Sequence, residues 1–344
     1  MNRLTFLLSG EHPTIPSSEV IASLEAENYE HEIIEELDQV LTLRSPDADP
    51  YTLSRRLGMC HWIGEHFCSS RPKDLIESIG NSDLIDFLPQ SESIAVRVKR
   101  IGEHLLEIDT QDLSKKVADK ILEAHDYEVD LENPDNEIFV ILIKNKCVLT
   151  VLRARIDRTE YQKRKPPKRA AVHPSTMQPN FARALVNLAR TPREGTFLDP
   201  FCGVGGILLE AGLLGAKVIG VDINSELIEG AEDNLRDAGV SEFDLQVKNA
   251  KDLEIESVDA IATDPPYGRQ ASTGGSELEE IYESTLPTIS SSLKLGGYLC
   301  ISAPSELDLE KIIENHPLKQ VEKHKQRVHK SLTRNIYVFR RETN

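Results

Sequence analysis

The sequence predicts an α/β protein: small mixed α+β units at the N-terminus, then a doubly wound, mostly parallel sheet with an antiparallel closing hairpin. Three observations predict it. The first 150 or so residues alternate short strand-like and helix-like pieces, from Phe181 onward apolar strands alternate with amphipathic helices, and a glycine-rich turn follows the first of those strands. A chain of 344 residues exceeds what one ordinary core organises, so more than one domain is expected.

Leu4 to Leu8 is strand-like, Ser17 to Glu27 helical, His31 to Leu43 alternating, Pro50 to Leu57 a short helix and Trp62 to Phe67 apolar. That β-α-β-β-α-β order predicts a ferredoxin-like unit over residues 1–92, which ends in the helix-like stretch Lys73 to Leu88. A second unit, 93–157, starts with the alternating strand Ile94 to Val98, continues through a helix near Leu113 to Ala124, and closes with strands Ile138 to Ile143 and Cys147 to Leu152. The loop between them, Lys144-Asn145-Lys146, contains an Asn that can take the turn conformation. Residues 158–178 read as a basic, proline-containing linker: Tyr161 to Pro179 carries four prolines and no periodicity.

Residues 179–344 form the predicted catalytic domain. Helix Phe181 to Arg190 precedes strand Thr196 to Leu198; helices Gly206 to Leu214, Ser225 to Ala238 and Leu278 to Leu293 then alternate with strands Lys217 to Val221, Asp244 to Val247, Val258 to Ala262 and Tyr298 to Ser302. Gln326 to Lys330 and Asn335 to Arg340 read as the closing pair.

The formal charge of −17 argues against a polyanion partner, but the average hides two basic runs. Arg153 to Arg169 holds eight basic residues against two acidic, and Lys319 to Arg341 eight against one, which together point to a nucleic-acid footprint. Five scattered cysteines exclude a disulfide framework and fit reduced thiols; Cys60, His61, His66 and Cys68 match no zinc spacing and read as buried structure. No metal site is expected. No run is long enough for a membrane helix, and Leu4 to Leu8 is too short for a secretory signal, so the expected location is the cytoplasm.

Ligands of open parallel sheets bind beyond the carboxyl ends of the strands. The first such end reads Asp199-Pro200-Phe201-Cys202-Gly203-Val204-Gly205-Gly206, where glycines let the backbone turn tightly against a ligand. Strand two ends in Asp222, a carboxylate placed to accept both hydroxyls of a ribose. These features fit a nicotinamide cofactor or S-adenosylmethionine equally. The deciding stretch is Asp264-Pro265-Pro266-Tyr267-Gly268, at the end of the fourth strand. A carboxylate and a proline-fixed carbonyl can accept both hydrogens of a planar amine while Tyr267 stacks on its ring, which prepares the nitrogen to attack a sulfonium methyl group. Hydride transfer gains nothing from such a clamp.

Both motifs resemble those of class I amino-methyltransferases that modify nucleic acids. Ile94-Ala95-Val96-Arg97-Val98-Lys99-Arg100, with Val129 to Pro134 and the closing strands, resembles the RNA-binding THUMP domain behind its ferredoxin-like partner. The combination spans nearly the whole chain and is similar to the archaeal tRNA (guanine-10-N2)-dimethyltransferases.

The resemblance implies a ferredoxin-like plus THUMP module that grips tRNA, and a Rossmann-like class I domain that methylates the N2 amine of guanine 10, giving N2,N2-dimethylguanosine. It implies Asp264, Pro265, Pro266 and Tyr267 as the catalytic clamp, and a target base exposed by flipping or local unfolding. Cofactor contacts are expected from Asp199, Pro200, Cys202, Gly203, Gly205, Gly206, Asp222, Ile223, Asn249, Ala250 and Asp264. RNA contacts are expected from Arg97, Lys99, Arg153, Arg155, Lys163, Arg164, Lys165, Lys168 and Arg169. One departure stands out: Lys248-Asn249-Ala250 replaces the usual Gly-Asp-Ala, so the adenine amine meets an uncharged acceptor, unless Asp252 substitutes. His173 to Asn180 with Arg183 resembles the entry into the catalytic domain, or is a structured linker. A monomer with no obligate protein partner is expected. Rival readings are a THUMP guanine-N2 enzyme for another tRNA position or ribosomal RNA, a DNA adenine-N6 enzyme, and a non-catalytic RNA-binding scaffold.

Overall fold

The chain opens with β1 (Arg3–Leu8) and α1 (Ile15–Ala26), followed by β2 (Glu32–Leu37), β3 (Val40–Arg44), α2 (Pro50–Arg56), β4 (Cys60–Ser70), α3 (Leu75–Gly80), α4 (Leu84–Phe87), β5 (Ile94–Arg100), α5 (Thr110–Leu122), β6 (Asn136–Ile143) and β7 (Lys146–Arg155). The structure is a computed structural model and describes residues 3–174, 176–266, 276–329 and 332–343.

All seven of these strands join one sheet in the order β2-β3-β1-β4-β7-β6-β5, in which only β5 and β6 are parallel. The first four strands thus take the ferredoxin-like order. Leu75 and Ile79 of α3, with Leu113, Val117 and Ile121 of α5, pack on Ile138, Val140 and Leu142 of β6 and on Leu149 of β7. Asp109 caps α5 by accepting from the Gln111 and Asp112 amides. The stretch read as one helix, Lys73 to Leu88, is two short helices, because Gly80-Asn81-Ser82 interrupts it. In the turn between β6 and β7 it is Lys144 that takes positive φ (52°), so the left-handed residue is not the expected Asn145.

From residue 157 the chain builds a second sheet. Its elements are α6 (Arg158–Lys163), α7 (Pro179–Leu188), β8 (Thr196–Asp199), α8 (Gly206–Leu214), β9 (Lys217–Asp222), α9 (Ser225–Asp237), β10 (Phe243–Val247), β11 (Val258–Thr263), α10 (Ser276–Ser292), β12 (Leu293–Pro304), α11 (Leu309–Ile313), β13 (Leu318–His329) and β14 (Leu332–Arg341). The order is β10-β9-β8-β11-β12-β14-β13, parallel from β10 to β12 and closed by the antiparallel β13–β14 hairpin. Apolar residues of α7 and α8 cover one face, and Tyr282, Leu286 and Ile289 of α10 cover the other. Strand order reverses between β8 and β11, which opens a crevice at their carboxyl ends.

The compact units do not follow the linear order of the chain. One comprises residues 1–13, 29–55 and 60–156; the other comprises 14–28, 56–59 and 157–344. α1 therefore belongs with the second sheet, where Ile15 and Ala22 join the core formed by Phe181, Ala182 and Leu185. Glu19 of α1 is fully buried, and its carboxylate accepts from the amides of Gly58 (2.7 Å) and Met59 (2.8 Å) and from Asn187 Nδ2 (2.8 Å). Burial pushes its pKa up, and these donors oppose the shift. The predicted linker is also structured: α6 and a 3-10 turn, Pro166–Lys168, occupy it, and Tyr161 is buried with its hydroxyl donating to Leu57 O at 3.0 Å. All five cysteines are free, and four are buried.

Candidate active site

Asp199 ends β8 at 1% exposure. Its Oδ1 accepts from Thr263 Oγ1 (2.7 Å) at the end of β11 and from the Phe201 amide (3.1 Å), which ties the two central strands together where the crevice opens. Burial, with Asp264 and Asp222 nearby, pushes Asp199 up to about 7 against the pull of its hydrogen bonds. The chain then turns through Gly203 and Gly205, both at positive φ (52° and 75°). A Cβ on Gly205 would lie 3.1 Å from Ala231 Cβ on α9, so α8 and α9 approach closely only because this position is glycine. Gly206 starts α8. Cys202 is packed inward, and burial raises its thiol well above the usual range; it fills space and is no nucleophile.

Asp222 ends β9. Its two oxygens accept from the Gly203 amide (3.0 Å) and the Asn224 amide (3.0 Å), which fixes the carboxylate plane and leaves each oxygen a second lone pair. Ile223, 72% exposed, offers an apolar surface beside it. Asn249 Oδ1 accepts from the Lys251 amide (3.1 Å), and the buried Ala250 is held through its carbonyl by Thr288 Oγ1 (2.8 Å) of α10. Asp252 is exposed and outside the cavity lining.

Two cavities meet at the crevice. The larger, about 590 Å³, is lined by Pro200, Asp222, Ile223, Asn249 and Ala250, together with Ile281 and Thr285 of α10. The smaller, about 330 Å³, is lined by Asp199, Cys202, Gly206, Thr176 and Met177. His173, Phe201, Gly203, Asp264 and Pro266 line both, and Pro265 lines the smaller. A volume of this size suits a nucleoside-sized ligand. Gly205 supports the loop from behind and is not in the lining. Tyr267, expected to stack on the base, lies outside the described residues, as does Gly268.

Sequence reasoning missed Arg334. Its Nη1 donates to Asp264 Oδ2 at 2.7 Å, and both side chains are largely buried. In the sequence it is one cation of the basic run Lys319 to Arg341. Two other cations of that run are paired, Lys323 with Glu310 and Lys319 with Glu342. No local signal in the sequence marks Arg334, because its pairing depends on β14 lying beside β12.

The residues proposed for RNA fall into two groups. In the first unit, Arg97 and Arg155 share the Glu137 carboxylate (both 2.7 Å), Arg153 lies over the Phe87 ring, and Lys99 is exposed. In the second, Lys163 is exposed beside Glu160, and Lys168 is exposed. Lys165 is half-buried. Arg164 differs from its expected role. Its guanidinium makes a forked pair with the fully buried Glu210 (2.7 and 3.0 Å), a carboxylate that also holds Arg183 (3.1 Å). Arg169 is drawn inward as well: its terminal nitrogens are buried, and one lies 3.3 Å from where a Gly206 Cβ would sit.

A doubly wound sheet whose glycine turn, strand-ending Asp222 and Asp-Pro-Pro corner meet at its switch point has the architecture of a class I methyltransferase. Comparisons agree with that class and narrow it. Residues 166–336 match the family described as "RMKL-like, methyltransferase domain", and residues 72–152 match the THUMP domain. The chain is 37% identical to the tRNA (guanine(10)-N2)-dimethyltransferase of Methanothermobacter thermautotrophicus, over 97% of this chain and 98% of that protein. It is 34% identical to the enzyme of the same name from Methanocaldococcus jannaschii, over 98% and 99%. Among solved structures, TrmN from Thermus thermophilus shares the fold, with a TM-score of 0.55 over 98% of this chain and 99% of that one, at 19% identity. The chain belongs to the tRNA (guanine(10)-N2)-dimethyltransferase family.

Proposed function

We infer that this protein transfers methyl groups from S-adenosylmethionine to the N2 amine of guanine 10 in tRNA, producing N2,N2-dimethylguanosine. The observation that carries the reading is the position of Asp264-Pro265-Pro266: it follows β11, next to β8, and Asp264 and Pro266 stand in the wall shared by both cavities. The larger cavity fits the cofactor's nucleoside, with Asp222 for the ribose hydroxyls, Ile223 against the adenine and Asn249 for its amine. When bound, S-adenosylmethionine supplies a methyl group on a cationic sulfur.

The chain's own residues would do the rest. The Asp264 carboxylate and the Pro265 carbonyl accept the hydrogens of N2, which raises the nitrogen's lone-pair density as the N–C bond forms. S-adenosylmethionine, held by Asp222, Ile223 and Asn249, would supply the methyl group and keep the electron pair of its S–C bond, and the clamp side would give the N2 proton a path to solvent. Tyr267 belongs to this proposal as the stacking ring. The division into 1–92, 93–157, 158–178 and 179–344 belongs to it as well, with the first two parts gripping tRNA. No helix among the described residues is long and apolar enough to cross a membrane; the same reading makes the protein a cytoplasmic monomer needing no protein partner.

The direct test is incubation of the protein with S-adenosylmethionine and unmodified tRNA transcripts, followed by nuclease digestion and mass spectrometry. N2,N2-dimethylguanosine mapped to position 10 is expected; methylguanosine only at other positions would move the target. Cofactor binding is tested separately. Asp222→Asn is expected to weaken S-adenosylhomocysteine by about 10- to 100-fold in a calorimetric titration, the range for losing a charge-assisted hydrogen bond. An unchanged Kd would remove Asp222 from the ribose role. For RNA, Lys163→Gln with Lys165→Gln is expected to lower the slope of log K against log salt by roughly one to two. Arg164 is left intact because Glu210 needs it, and a slope that does not move would exclude this segment from the footprint.

A further inference from the structure

The Arg334–Asp264 pair sits in the wall of the crevice, and we propose that Arg334 is a positioning residue for methyl transfer, fixing the rotation of the Asp264 carboxylate toward the amine. The inference rests on the methyl-transfer reading of the same site.

Three elements hold the Arg334 guanidinium. Its Nε donates to Gln326 Oε1 (2.6 Å) on β13, its plane lies over the Phe181 ring of α7 with Cζ 5.1 Å from the centroid, and its Nη1 meets Asp264 Oδ2 (2.7 Å). Arg334 is itself 6% exposed. A planar fork gripped at these points cannot turn to follow the carboxylate, so the carboxylate follows the fork. The topology delivers it there: β14 runs antiparallel to β12, and Arg334 pairs with Pro304, level with the carboxyl ends of the parallel strands. Its charge also offsets a carboxylate that lies close enough to Asp199 for the two to repel.

The test measures kcat, KM for unmodified tRNA and Kd for S-adenosylhomocysteine in the full-length protein. Arg334→Met is expected to lower kcat about 100-fold, with KM and Kd within about threefold of the parent, and Arg334→Lys to recover about tenfold of that loss. In the Asp264→Asn background, Arg334→Met is expected to cost less than about threefold further, because the residue acts through Asp264. The inference is overturned if Arg334→Met keeps its kcat, if the loss falls in KM or Kd, which is how a merely structural role would show, or if the loss is as large in the Asp264→Asn background. A parent protein that methylates no tRNA would overturn the reading beneath it instead. An active parent matched by an active Arg334→Met would overturn this inference alone.

Discussion

Asp264→Ala is expected to lower single-turnover methyl transfer by roughly 10²- to 10³-fold or more, while S-adenosylhomocysteine and tRNA still bind within a few-fold of the parent. In the proposed clamp the carboxylate is the charged half, and its chain neighbours Thr263, Pro265 and Pro266 carry no second carboxylate to replace it. The same variant leaves Arg334 buried opposite a methyl group, so a drop in thermal stability accompanies the rate loss. Asp264→Asn separates the two effects, since it retains a carbonyl acceptor for the fork and loses only the charge. Normal turnover by Asp264→Ala would end the clamp account of this site.

The largest effect on stability is expected at Glu210. Its carboxylate is completely buried and holds Arg164 from the segment after α6 and Arg183 from α7. Glu210→Ala leaves two largely buried guanidiniums without their carboxylate, a loss of about 3–5 kcal/mol for a broken buried pair. For a domain of this size that corresponds to a fall in Tm of roughly 6–20 °C in calorimetric unfolding. Glu160→Ala, which removes the exposed partner of Lys163, makes a useful contrast, with almost no expected change in Tm because solvent screens the pair. If both variants melt alike, Glu210 is not the anchor described.

These two residues also show what the sequence reveals and what it hides. Asp264 was legible because its signal is local: an acid and two prolines directly after an apolar strand have few uses. α8 was legible for the same reason, with a glycine turn at one end and Gly215 at the other, and its bounds match the expectation residue for residue. Asp222 followed from strand periodicity alone. Glu210 and Arg164 were not legible as partners, since 46 residues separate them and a lone Glu in an apolar helix reads as a solvent-facing position. Arg334 reaches Asp264 across 70 residues through a strand order that no window of sequence contains. Prolines and basic residues made 158–178 look like an extended tether, because propensity sees Pro166, Pro167 and the charges but not the buried Tyr161 and Arg164 that dock them. α1 was correctly expected as a helix; that it completes the core around α7 depended on contacts more than 150 residues away.

The placement of α1 bears on how this enzyme can be taken apart. Because residues 14–28 and 56–59 belong with the methyltransferase sheet, the polypeptide passes from one unit to the other five times along its length. A truncation starting near residue 158, the natural choice for an isolated catalytic fragment, removes Glu19 and leaves Asn187 and the apolar side of α7 without their cover. Such a fragment would report on a damaged fold and say little about an independent enzyme. Grafting the RNA-binding part onto another catalyst meets the same obstacle, since no single splice point carries it across whole. The residues that complete each unit are interleaved along the chain, so the gene that encodes it has no seam at which to cut.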